Sequence, residues 1–467
     1  MGGVIREEQL LIGGKWTAAG GAEREVEDPA TEQVVGVVRE AAPSDVDAAV
    51  LAAAGALDEW THTSPERRAD VLDRVADRLE ASAEELARLI TTEFGAPPPL
   101  ARSLHVDVPT AVVRRTTEAL RRFDFTRELG NSTIRRRPSG VVGAITPWNL
   151  PLHQVIVKII PAIAAGAPVV LKPSTLTPLT AFALGRLLTD AGLPPGVFNL
   201  VIGGAAVGEQ LASHPLVRHV SFTGSTEVGR RVGAIASSGI KRVTLELGGK
   251  SPSVVLADAD DDLLLKAVKI TLANCFLNTG QTCTALTRLI VPASRLSAVE
   301  DIARESARKY APGARLGPVI SAAQRTSIAD FTTTEATGGA LDLSPEFELP
   351  KTGHYVAPRV FSRVDPQSRL AREEVFGPVL AIIAAQDDDE AIRLANDSEY
   401  GLAGAVWGSS IDRARQAAER IQAGQVDING AAFNPGAPFG GYKRSGVGRE
   451  IGWYGIEDAL ETQSIQA

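Results

Sequence analysis

Residues 141–151 read Val-Val-Gly-Ala-Ile-Thr-Pro-Trp-Asn-Leu-Pro, and residues 168–175 read Pro-Val-Val-Leu-Lys-Pro-Ser-Thr. In each stretch a short apolar run ends in polar residues and proline, which is typical of a buried strand that stops at the edge of a sheet. Helical stretches and further apolar runs alternate after them, at 176–191, 197–202, 219–222 and 226–237. This alternation predicts β-α-β units and a parallel sheet.

A second alternating segment begins after residue 247 and predicts another parallel sheet. Its apolar runs lie near 253–256, 288–291, 379–384 and 404–407, and its helical stretches near 261–276, 299–309 and 387–396. Amphipathic helices are expected over 44–93, where apolar residues recur at steps of three and four. The glycine-, proline- and acid-rich stretch 334–353 is expected to be a surface loop. The predicted fold class is therefore α/β, with two lobes.

Composition is typical of an independently folding enzyme. The 467 residues are 44% hydrophobic and 22% charged, and the formal net charge of −8 leaves no excess of cations for a phosphate backbone or an anionic membrane. The first residues lack the apolar core of a signal peptide, so a cytoplasmic location is expected. The two cysteines are too few for a disulfide framework, and the six histidines form no paired ligand pattern. We expect reduced thiols and no metal.

Residues 278–284, Asn-Thr-Gly-Gln-Thr-Cys-Thr, place Cys283 in a glycine-containing loop after a helix-like run. A loop can present a thiol together with its own backbone N–H to a small molecule, so Cys283 is a candidate nucleophile. The alternative is a buried structural cysteine, because cysteine is among the most buried residue types. That alternative fits Cys275, whose neighbours Leu272 and Phe276 are apolar.

Glu246 and Asn149 are candidates for the groups that would assist such a thiol. Glu246 ends an apolar run in Leu-Glu-Leu-Gly-Gly-Lys (245–250), where burial would raise its pKa towards that of a general base. Asn149 follows the first strand, where its amide can donate to a developing oxyanion. A surface carboxylate and a turn-capping asparagine are the alternatives. A phosphate-binding P-loop is rejected, because Thr244 stands where that pattern needs glycine.

Two strand ends carry signals for a dinucleotide. Residues 172–175 follow one predicted strand, and residues 222–229 join another to a helix through glycine. Polar groups and helix N-termini at the carboxyl edge of a parallel sheet are where dinucleotides bind in doubly wound folds. The usual Gly-x-Gly-x-x-Gly pattern is absent from the sequence, so neither segment identifies the binding fold by itself.

Taken together and in this order, the motifs resemble those of the aldehyde dehydrogenase superfamily. The resemblance is carried by 147–149 (Pro-Trp-Asn), 172–174 (Lys-Pro-Ser), 222–226 (Phe-Thr-Gly-Ser-Thr), 246–250 (Glu-Leu-Gly-Gly-Lys) and 280–283 (Gly-Gln-Thr-Cys). It continues through 373–378, 396–402 and 438–446, and it begins as early as 12–16. It therefore covers essentially the whole chain.

The resemblance implies a role for each candidate. Cys283 would add to an aldehyde, Asn149 and the Cys283 backbone N–H would hold the oxyanion, and Glu246 would activate the water that hydrolyses the resulting thioester. Glu374 would hold the nicotinamide ribose of NADP or NAD, and Phe376 would pack near the ring. The other implied cofactor contacts are Thr146, Pro147, Trp148, Lys172, Ser174, Thr175, Gly204, Gly224, Ser225, Leu247 and Gly248. The implied substrate tunnel is lined by Leu150, Gln154, Val157, Leu277, Thr282, Thr284 and Phe433.

The resemblance also implies three parts: a Rossmann-like cofactor-binding domain (1–122 and 139–246), a catalytic domain (247–437) and a small β arm for oligomerisation (123–138 and 456–467). From the residues alone, the charged segment 123–138 is predicted to be an exposed hairpin that pairs with the C-terminal tail. Such an arm would build a homodimer or homotetramer by extending a neighbour's sheet. Apart from a small aldehyde and other copies of the chain, no partner is expected.

Thr175 departs from the pattern of many relatives, in which glutamate follows Lys-Pro-Ser. The missing carboxylate would otherwise grip the adenosine ribose and repel a 2′-phosphate, so we expect NADP to be tolerated or favoured, with Lys172 as the nearest cation. The implied tunnel is mostly apolar, has no arginine and lacks an aromatic cage for a quaternary ammonium group. This favours a neutral, medium-sized aliphatic or aromatic aldehyde over a dicarboxylic semialdehyde.

Three other functions compete with this interpretation. An acylating relative would pass the thioester to coenzyme A, but Glu246 argues against it, because a hydrolytic base would destroy that intermediate. A thiol hydrolase without a redox cofactor would need a histidine beside Cys283, and the nearest candidate, His153, lies in an unrelated motif. A non-catalytic binding protein of the same fold is disfavoured because Cys283, Glu246 and Asn149 are all present.

Overall fold

The computed structural model describes residues 3–467 and contains two large sheets. The first sheet has eight strands, in the spatial order Gly446–Val447, Arg242–Glu246, Val217–Thr223, Val141–Ile145, Val169–Lys172, Phe198–Leu200, Gln9–Ile12 and Lys15–Ala18. Its five central strands are parallel, and the outer three are antiparallel to their neighbours. The predicted strand and helix alternation after residue 139 is confirmed.

The order of the parallel strands changes direction at Val141–Ile145. From this strand the chain passes to Val169–Lys172 and Phe198–Leu200 on one side, and then crosses to Val217–Thr223 and Arg242–Glu246 on the other side. In open α/β sheets, ligands bind beside such a switch point, at the carboxyl ends of the strands. The segments that follow Val141–Ile145 and Val217–Thr223 are therefore brought together at the switch point.

The second sheet has seven strands, in the spatial order Leu341–Asp342, Arg359–Ser362, Val379–Ala385, Arg288–Pro292, Pro252–Val255, Ala403–Trp407 and Gln425–Ile428. All neighbours are parallel except the first pair. The prediction of one surface loop over 334–353 is wrong for its first half, which holds the helix Thr334–Thr337 and the strand Leu341–Asp342. Thr333 caps that helix by accepting the Ala336 N–H, and Asp342 bonds to Arg359 of the next strand.

The expected amphipathic helices over 44–93 are confirmed as Pro43–His62, Pro65–Ala81 and Ala83–Phe94. A one-turn π-helix, Ser103–Asp107, joins Pro98–Arg102 to Val108–Leu120. The remaining longer helices are Pro151–Ala165, Leu179–Asp190, Ala205–Ser213, Thr226–Ser238, Asp261–Phe276, Leu296–Ala307, Ala322–Asp330, Asp388–Asn396, Ile411–Arg420 and Gly452–Asp458. Within residues 3–467, no helix has the length and apolar character needed to span a bilayer.

The predicted hairpin at 123–138 is confirmed as Thr126–Leu129 and Ser132–Pro138, and Leu460–Gln466 pairs with its second strand. The tail strand begins at Leu460 rather than at 456, because Gly452–Asp458 is a helix whose Ile456 is buried in the first core. A second small sheet, which the sequence analysis missed, has the strand order Ile5–Glu7, Gln33–Arg39 and Glu23–Asp28.

The apolar cores divide the molecule into two lobes. The first core gathers buried side chains from residues 10–247 together with Ile320 and residues 451–460. The other two cores draw only on residues 254–423 and lie against the second sheet. The Cys275 side chain is fully buried in one of these, as the sequence predicts.

We predict that Arg288→Met destabilises the second lobe by about 3 kcal/mol, because three buried carbonyl oxygens would lose their donor. The Arg288 guanidinium is buried and donates to Lys250 O, Leu394 O and Ala395 O over 2.7–2.9 Å, which ties the strand to the end of helix Asp388–Asn396. The measurement is urea unfolding followed by fluorescence. Arg393→Met on the exposed face of the same helix is the control and should change stability by less than about 0.5 kcal/mol. Equal destabilisation by the two substitutions would contradict the stabilising role given to the Arg288 hydrogen bonds.

Candidate active site

Two cavities, each of about 260 Å³, meet at Cys283. The first lies at the switch point of the first sheet and is also lined by Pro147, Trp148, Asn149, Thr223, Gly224, Ser225, Leu247, Gly248, Gln324, Glu374 and Phe376. The second is lined by all seven residues predicted for the substrate tunnel. Of the lining residues, Gln154 and Cys283 are shared by both cavities. The thiol therefore lies where a molecule bound in one cavity would contact a molecule bound in the other.

A strained turn presents Cys283 at this junction. Helix Asp261–Phe276 ends in the short 3₁₀ turn Leu277–Gly280, in which Asn278 and Thr279 have φ values of 55° and 57°. Such angles are uncommon for residues with a side chain and persist only when the surroundings hold them. Here the Asn278 side-chain amide donates to Asn149 O at 2.8 Å, and the Thr279 hydroxyl donates to Gly317 O at 3.0 Å.

The Cys283 side chain is partly exposed and its thiol is surrounded by acidic groups. Burial raises the pKa of the Cys283 thiol, and the carboxyl groups of Glu246 and Glu374 raise it further. The thiol is therefore protonated at neutral pH when the cavities hold only water. A positive charge placed in either cavity, or a base that takes the proton, would favour the thiolate.

Glu246 is buried at the end of strand Arg242–Glu246, and no side chain of the described residues donates to its carboxyl oxygens. The backbone N–H of Gly441 lies close enough to lower its pKa, but this effect is smaller than that of burial. Burial raises the pKa of Glu246 well above its ordinary value, and the negative charge of Glu450 adds to the effect. The predicted direction of the shift is confirmed. A carboxylate with a raised pKa is a stronger base, so Glu246 in its ionised form can take a proton from a nearby thiol or water.

A buried ion pair beside Glu246 was missed by the sequence analysis. The Lys158 ammonium group donates to Glu450 Oε1 at 2.6 Å and to the Ser221 hydroxyl at 3.3 Å. The charge of Lys158 opposes the increase in the pKa of Glu246 that Glu450 causes. No local sequence pattern could have paired Lys158 with Glu450, because they lie 292 positions apart.

The Asn149 side chain is buried and donates to Gln281 O at 3.0 Å, so the candidate oxyanion donor is bonded to the cysteine loop itself. The second N–H of this amide remains available to a ligand.

His105 supports the cysteine loop from the side away from Asn149, where Asn278 Oδ1 lies 3.0 Å from His105 Nε2. Burial lowers the pKa of His105 to about 4, so the ring is neutral and Nε2 carries the donated proton. His105, also missed, lies in the π-helix, a feature that is frequent at functional sites.

The cavity at the switch point has the features of a dinucleotide site. Ser225 caps helix Thr226–Ser238 by accepting the Val228 N–H, so the N-terminus of that helix lies at the cavity wall. Burial raises the pKa of Glu374 to about 7, and its Oε1 accepts the Gly249 N–H at 3.0 Å. A Cβ at Gly248 would lie 2.2 Å from Glu374 Oε2, so a side chain at this position would displace the Glu374 carboxyl group.

Five of the predicted cofactor residues do not line this cavity: Thr146, Lys172, Ser174, Thr175 and Gly204. They lie farther along the same sheet edge, since Ile145 pairs with Lys172. Lys172 is not a free cation there, because its ammonium group donates to Pro173 O and Gly203 O at 3.0 and 2.8 Å. Burial lowers the pKa of Lys172 to about 8, and the ion-paired side chains of Arg24 and Glu40 lie close enough to influence it.

The second cavity is less apolar than predicted. In addition to the seven predicted residues, it is lined by polar groups that the sequence analysis missed: His153, Asn274, Gln425 and Asp427. His153 was assigned to an unrelated motif, yet it lies in the first turn of helix Pro151–Ala165 and lines the cavity. Burial lowers the pKa of His153 to about 4. Over residues 3–467, no three His, Cys, Asp or Glu side chains are grouped to hold a metal.

Comparison with known proteins agrees with the geometry. The model of the aldehyde dehydrogenase family matches residues 16–465. A 3-succinoylsemialdehyde-pyridine dehydrogenase from a Pseudomonas species is 43% identical over 470 residues, which cover 98% of each chain. A mutant aldehyde dehydrogenase from Pseudomonas syringae, solved in complex with NAD+ and octanal, is 44% identical, with a TM-score of 0.95 over 98% of this chain and 96% of that chain. An aldehyde dehydrogenase from Mycobacterium tuberculosis, solved with NAD+, is 38% identical, with a TM-score of 0.95 over 99% of both chains.

We predict that iodoacetamide alkylates Cys283 slowly at pH 7 and faster as the pH rises, because the raised pKa keeps the thiol protonated. Glu246→Gln should accelerate alkylation at pH 9, because it removes a carboxyl group whose charge opposes thiolate formation. Peptide mass mapping measures the rate, and the fully buried Cys275 is the internal control. Rapid alkylation at pH 6 in the native protein, or no effect of the substitution at pH 9, would contradict this description.

Proposed function

The chain belongs to the aldehyde dehydrogenase family, and from that premise we propose how its own residues oxidise an aldehyde to a carboxylic acid with a nicotinamide dinucleotide. The observation that carries the proposal is the meeting of two cavities at Cys283. The cavity at the switch point would hold the dinucleotide, and the other cavity would hold the aldehyde. The carbonyl carbon of the aldehyde would then be adjacent to the hydride acceptor only where the two cavities meet, next to the Cys283 sulfur.

The cavity at the switch point fits a dinucleotide. The capped helix N-terminus at Ser225 and Thr226 suits a pyrophosphate. Glu374 retains an oxygen, Oε2, that can accept from a ribose hydroxyl, and Trp148 and Phe376 meet edge to face with ring centroids 5.4 Å apart. When bound, the nicotinamide ring supplies the hydride acceptor. The buried carboxyl of Glu374 is well placed to orient that end of the molecule.

The chemistry of the chain begins at the thiol. Glu246 accepts the Cys283 proton directly or through water, and the thiolate adds to the aldehyde carbon to form a thiohemiacetal. The free N–H of the Asn149 amide and the Cys283 backbone N–H donate to the oxyanion, where one donor in a dry site is worth roughly 3 kcal/mol. Loss of hydride leaves a thioester on Cys283. Once Glu246 has released the first proton to solvent, it takes a proton from a water molecule, which attacks the thioester; the Cys283 thiolate leaves and the acid is released.

Two competing functions are disfavoured by the site. A thiol hydrolase would pair Cys283 with a cationic histidine, which would lower the pKa of the thiol. Instead, His153 is kept neutral by burial, and the pKa of Cys283 is raised. Transfer of the thioester to coenzyme A would be opposed by Glu246, whose raised pKa suits it to activate water.

The substrate is proposed to be the medium-sized aliphatic or aromatic aldehyde that the sequence favours, but the restriction to a neutral compound is not kept, because Asp427 lines the cavity. Leu150, Val157, Leu277 and Phe433 supply apolar walls, and the lining residues include no lysine or arginine that would bind a remote carboxylate. For the assembly, the sheet formed by residues 126–138 and 460–466 is proposed as the arm of a homodimer or homotetramer, with residues 1–122 and 139–246 as the cofactor domain and 247–437 as the catalytic domain. A cytoplasmic location is proposed from composition alone.

We predict that NADP is accepted and that Thr175→Glu lowers kcat/KM for NADP at least tenfold while kcat/KM for NAD is kept or improved, since the new carboxylate can accept from the adenosine ribose. The reason is repulsion between the new carboxylate and the 2′-phosphate, and tenfold corresponds to about 1.4 kcal/mol. In the native protein, Arg24, Lys172 and Glu40 together carry one net positive charge near this edge. Thr175→Val is the uncharged control. A strong NAD preference in the native protein would contradict the prediction, as would an unchanged cofactor ratio in Thr175→Glu.

We predict that His105→Leu lowers kcat by about 100-fold with little change in KM for the aldehyde, because Asn278 loses its donor and the cysteine loop shifts relative to Asn149. His105→Gln offers an amide N–H in place of Nε2–H and should recover most of the activity. Steady-state kinetics with a medium-length aldehyde measures both variants. Equal loss in the two variants, or a change confined to KM, would exclude this positioning role.

A further inference from the structure

Asp427 is the one carboxylate among the described residues that line the second cavity. It lies in Gln425–Ile428, the edge strand of the second sheet, where it pairs in register with Ala405. Side chains alternate along a strand, so Gln425 and Asp427 face the cavity while Val426 and Ile428 pack against the core. The position of the carboxylate in the cavity wall is therefore fixed by the sheet.

This carboxylate has no cationic partner within the described part of the chain. No lysine, arginine or histidine nitrogen of residues 3–467 lies within 4 Å of it. Among the described residues, the one side chain that donates to it is the Gln425 amide, at 3.1 Å from Oδ1. Partial burial raises the pKa of Asp427. A half-buried carboxylate that uses one of about four acceptor positions is stabilised by any cation or donor that enters the cavity.

The other residues of the cavity wall suit a substrate whose carbon chain ends in a cation or a hydrogen-bond donor. Apolar side chains, among them Leu150, Val157 and Leu277, can pack along methylene groups, whereas Asn274 and Gln425 add polar groups to the lining. Trp407, fully buried, closes part of the wall. A carboxylate on the substrate would be repelled by Asp427, which is the opposite of what a dicarboxylic semialdehyde needs.

We propose that Asp427 is a specificity-determining residue that selects aldehydes carrying a protonated amine at the end remote from the carbonyl, that is, ω-aminoaldehydes. This inference rests on the proposed function, since it assigns a substrate class to the same cavity. The carbonyl lies at Cys283, the methylene groups contact the apolar walls, and the ammonium group donates to Asp427. Neutral aldehydes of the same length still bind through the walls alone.

The test compares matched pairs in which an ammonium group replaces a terminal methyl group. Series from 3-aminopropanal against butanal up to 6-aminohexanal against heptanal are assayed by formation of the reduced cofactor, because the chain length that reaches Asp427 has to be found by measurement. At the best length, the amine should have the higher kcat/KM. Asp427→Asn should lower the amine-to-alkyl ratio at least tenfold and leave the alkyl aldehyde within about twofold, whereas Asp427→Glu should keep the preference.

Asp412→Asn, on the exposed face of helix Ile411–Arg420, is the matched control and should leave every ratio unchanged. If Asp427→Asn does not fold, inhibition of the native protein by n-alkylammonium ions against alkanols of the same length replaces it, and the ammonium ions should bind at least tenfold more tightly. An amine-to-alkyl ratio that is the same in native protein and Asp427→Asn, or equal inhibition by the two series, would overturn the inference. Absence of turnover with every aldehyde in the native protein would instead refute the proposed function.

Discussion

The hydrogen bonds between Asn149 and the cysteine loop hold the two lobes in the relation on which the site depends. The Asn149 amide belongs to the first lobe and donates to Gln281 O, while the Asn278 amide of the second lobe donates back to Asn149 O. All of these groups are buried, so an unmade bond would leave an unsatisfied polar atom and cost about 1–3 kcal/mol. The reciprocal pair therefore positions both Asn149, the proposed oxyanion donor, and the turn that carries Cys283. The two cavities meet at the sulfur because this contact aligns the lobes.

The electrostatics of the site disfavour the thiolate form of Cys283, the proposed nucleophile. Glu246 and Glu374 both stand near Cys283, and burial together with these carboxyl groups raises the pKa of the thiol. The pKa of Glu246 is itself raised, so this group can receive the proton. A carboxyl group whose pKa is raised in the folded protein makes folding less favourable once the pH exceeds its pKa in the unfolded chain, about 4.3 for glutamate. For Glu374 this loss of stability develops up to the pKa of about 7 in the folded protein. The site therefore opposes folding at neutral pH, and a bound cation would offset part of that cost.

The repetitive parts of the fold and the local motifs could be predicted from the sequence, because a strand–turn–helix unit carries its signal in adjacent residues. The strand at 141–145 and the helix at 261–276 are present with the expected bounds. The small sheet near the N-terminus was missed, since its edge strand Glu23–Asp28 is charged and mostly exposed. His105, Lys158 with Glu450, and Asp427 were also missed. Each acts through a partner or a cavity that only the folded chain brings close, and Asp427 stands in a strand whose alternation gives no indication of which cavity it faces.

In the proposed mechanism Cys283 carries the acyl group between hydride loss and hydrolysis, and loss of Glu246 slows the hydrolysis of that group more than its formation. Intact and peptide mass spectrometry of Glu246→Gln, mixed with NAD+ and hexanal and quenched, measures this directly. The account predicts close to one hexanoyl group per chain, located on Cys283, and none when NAD+ is omitted. Formation of the reduced cofactor with no acyl group on the protein, or with the acyl group on another residue, would contradict it.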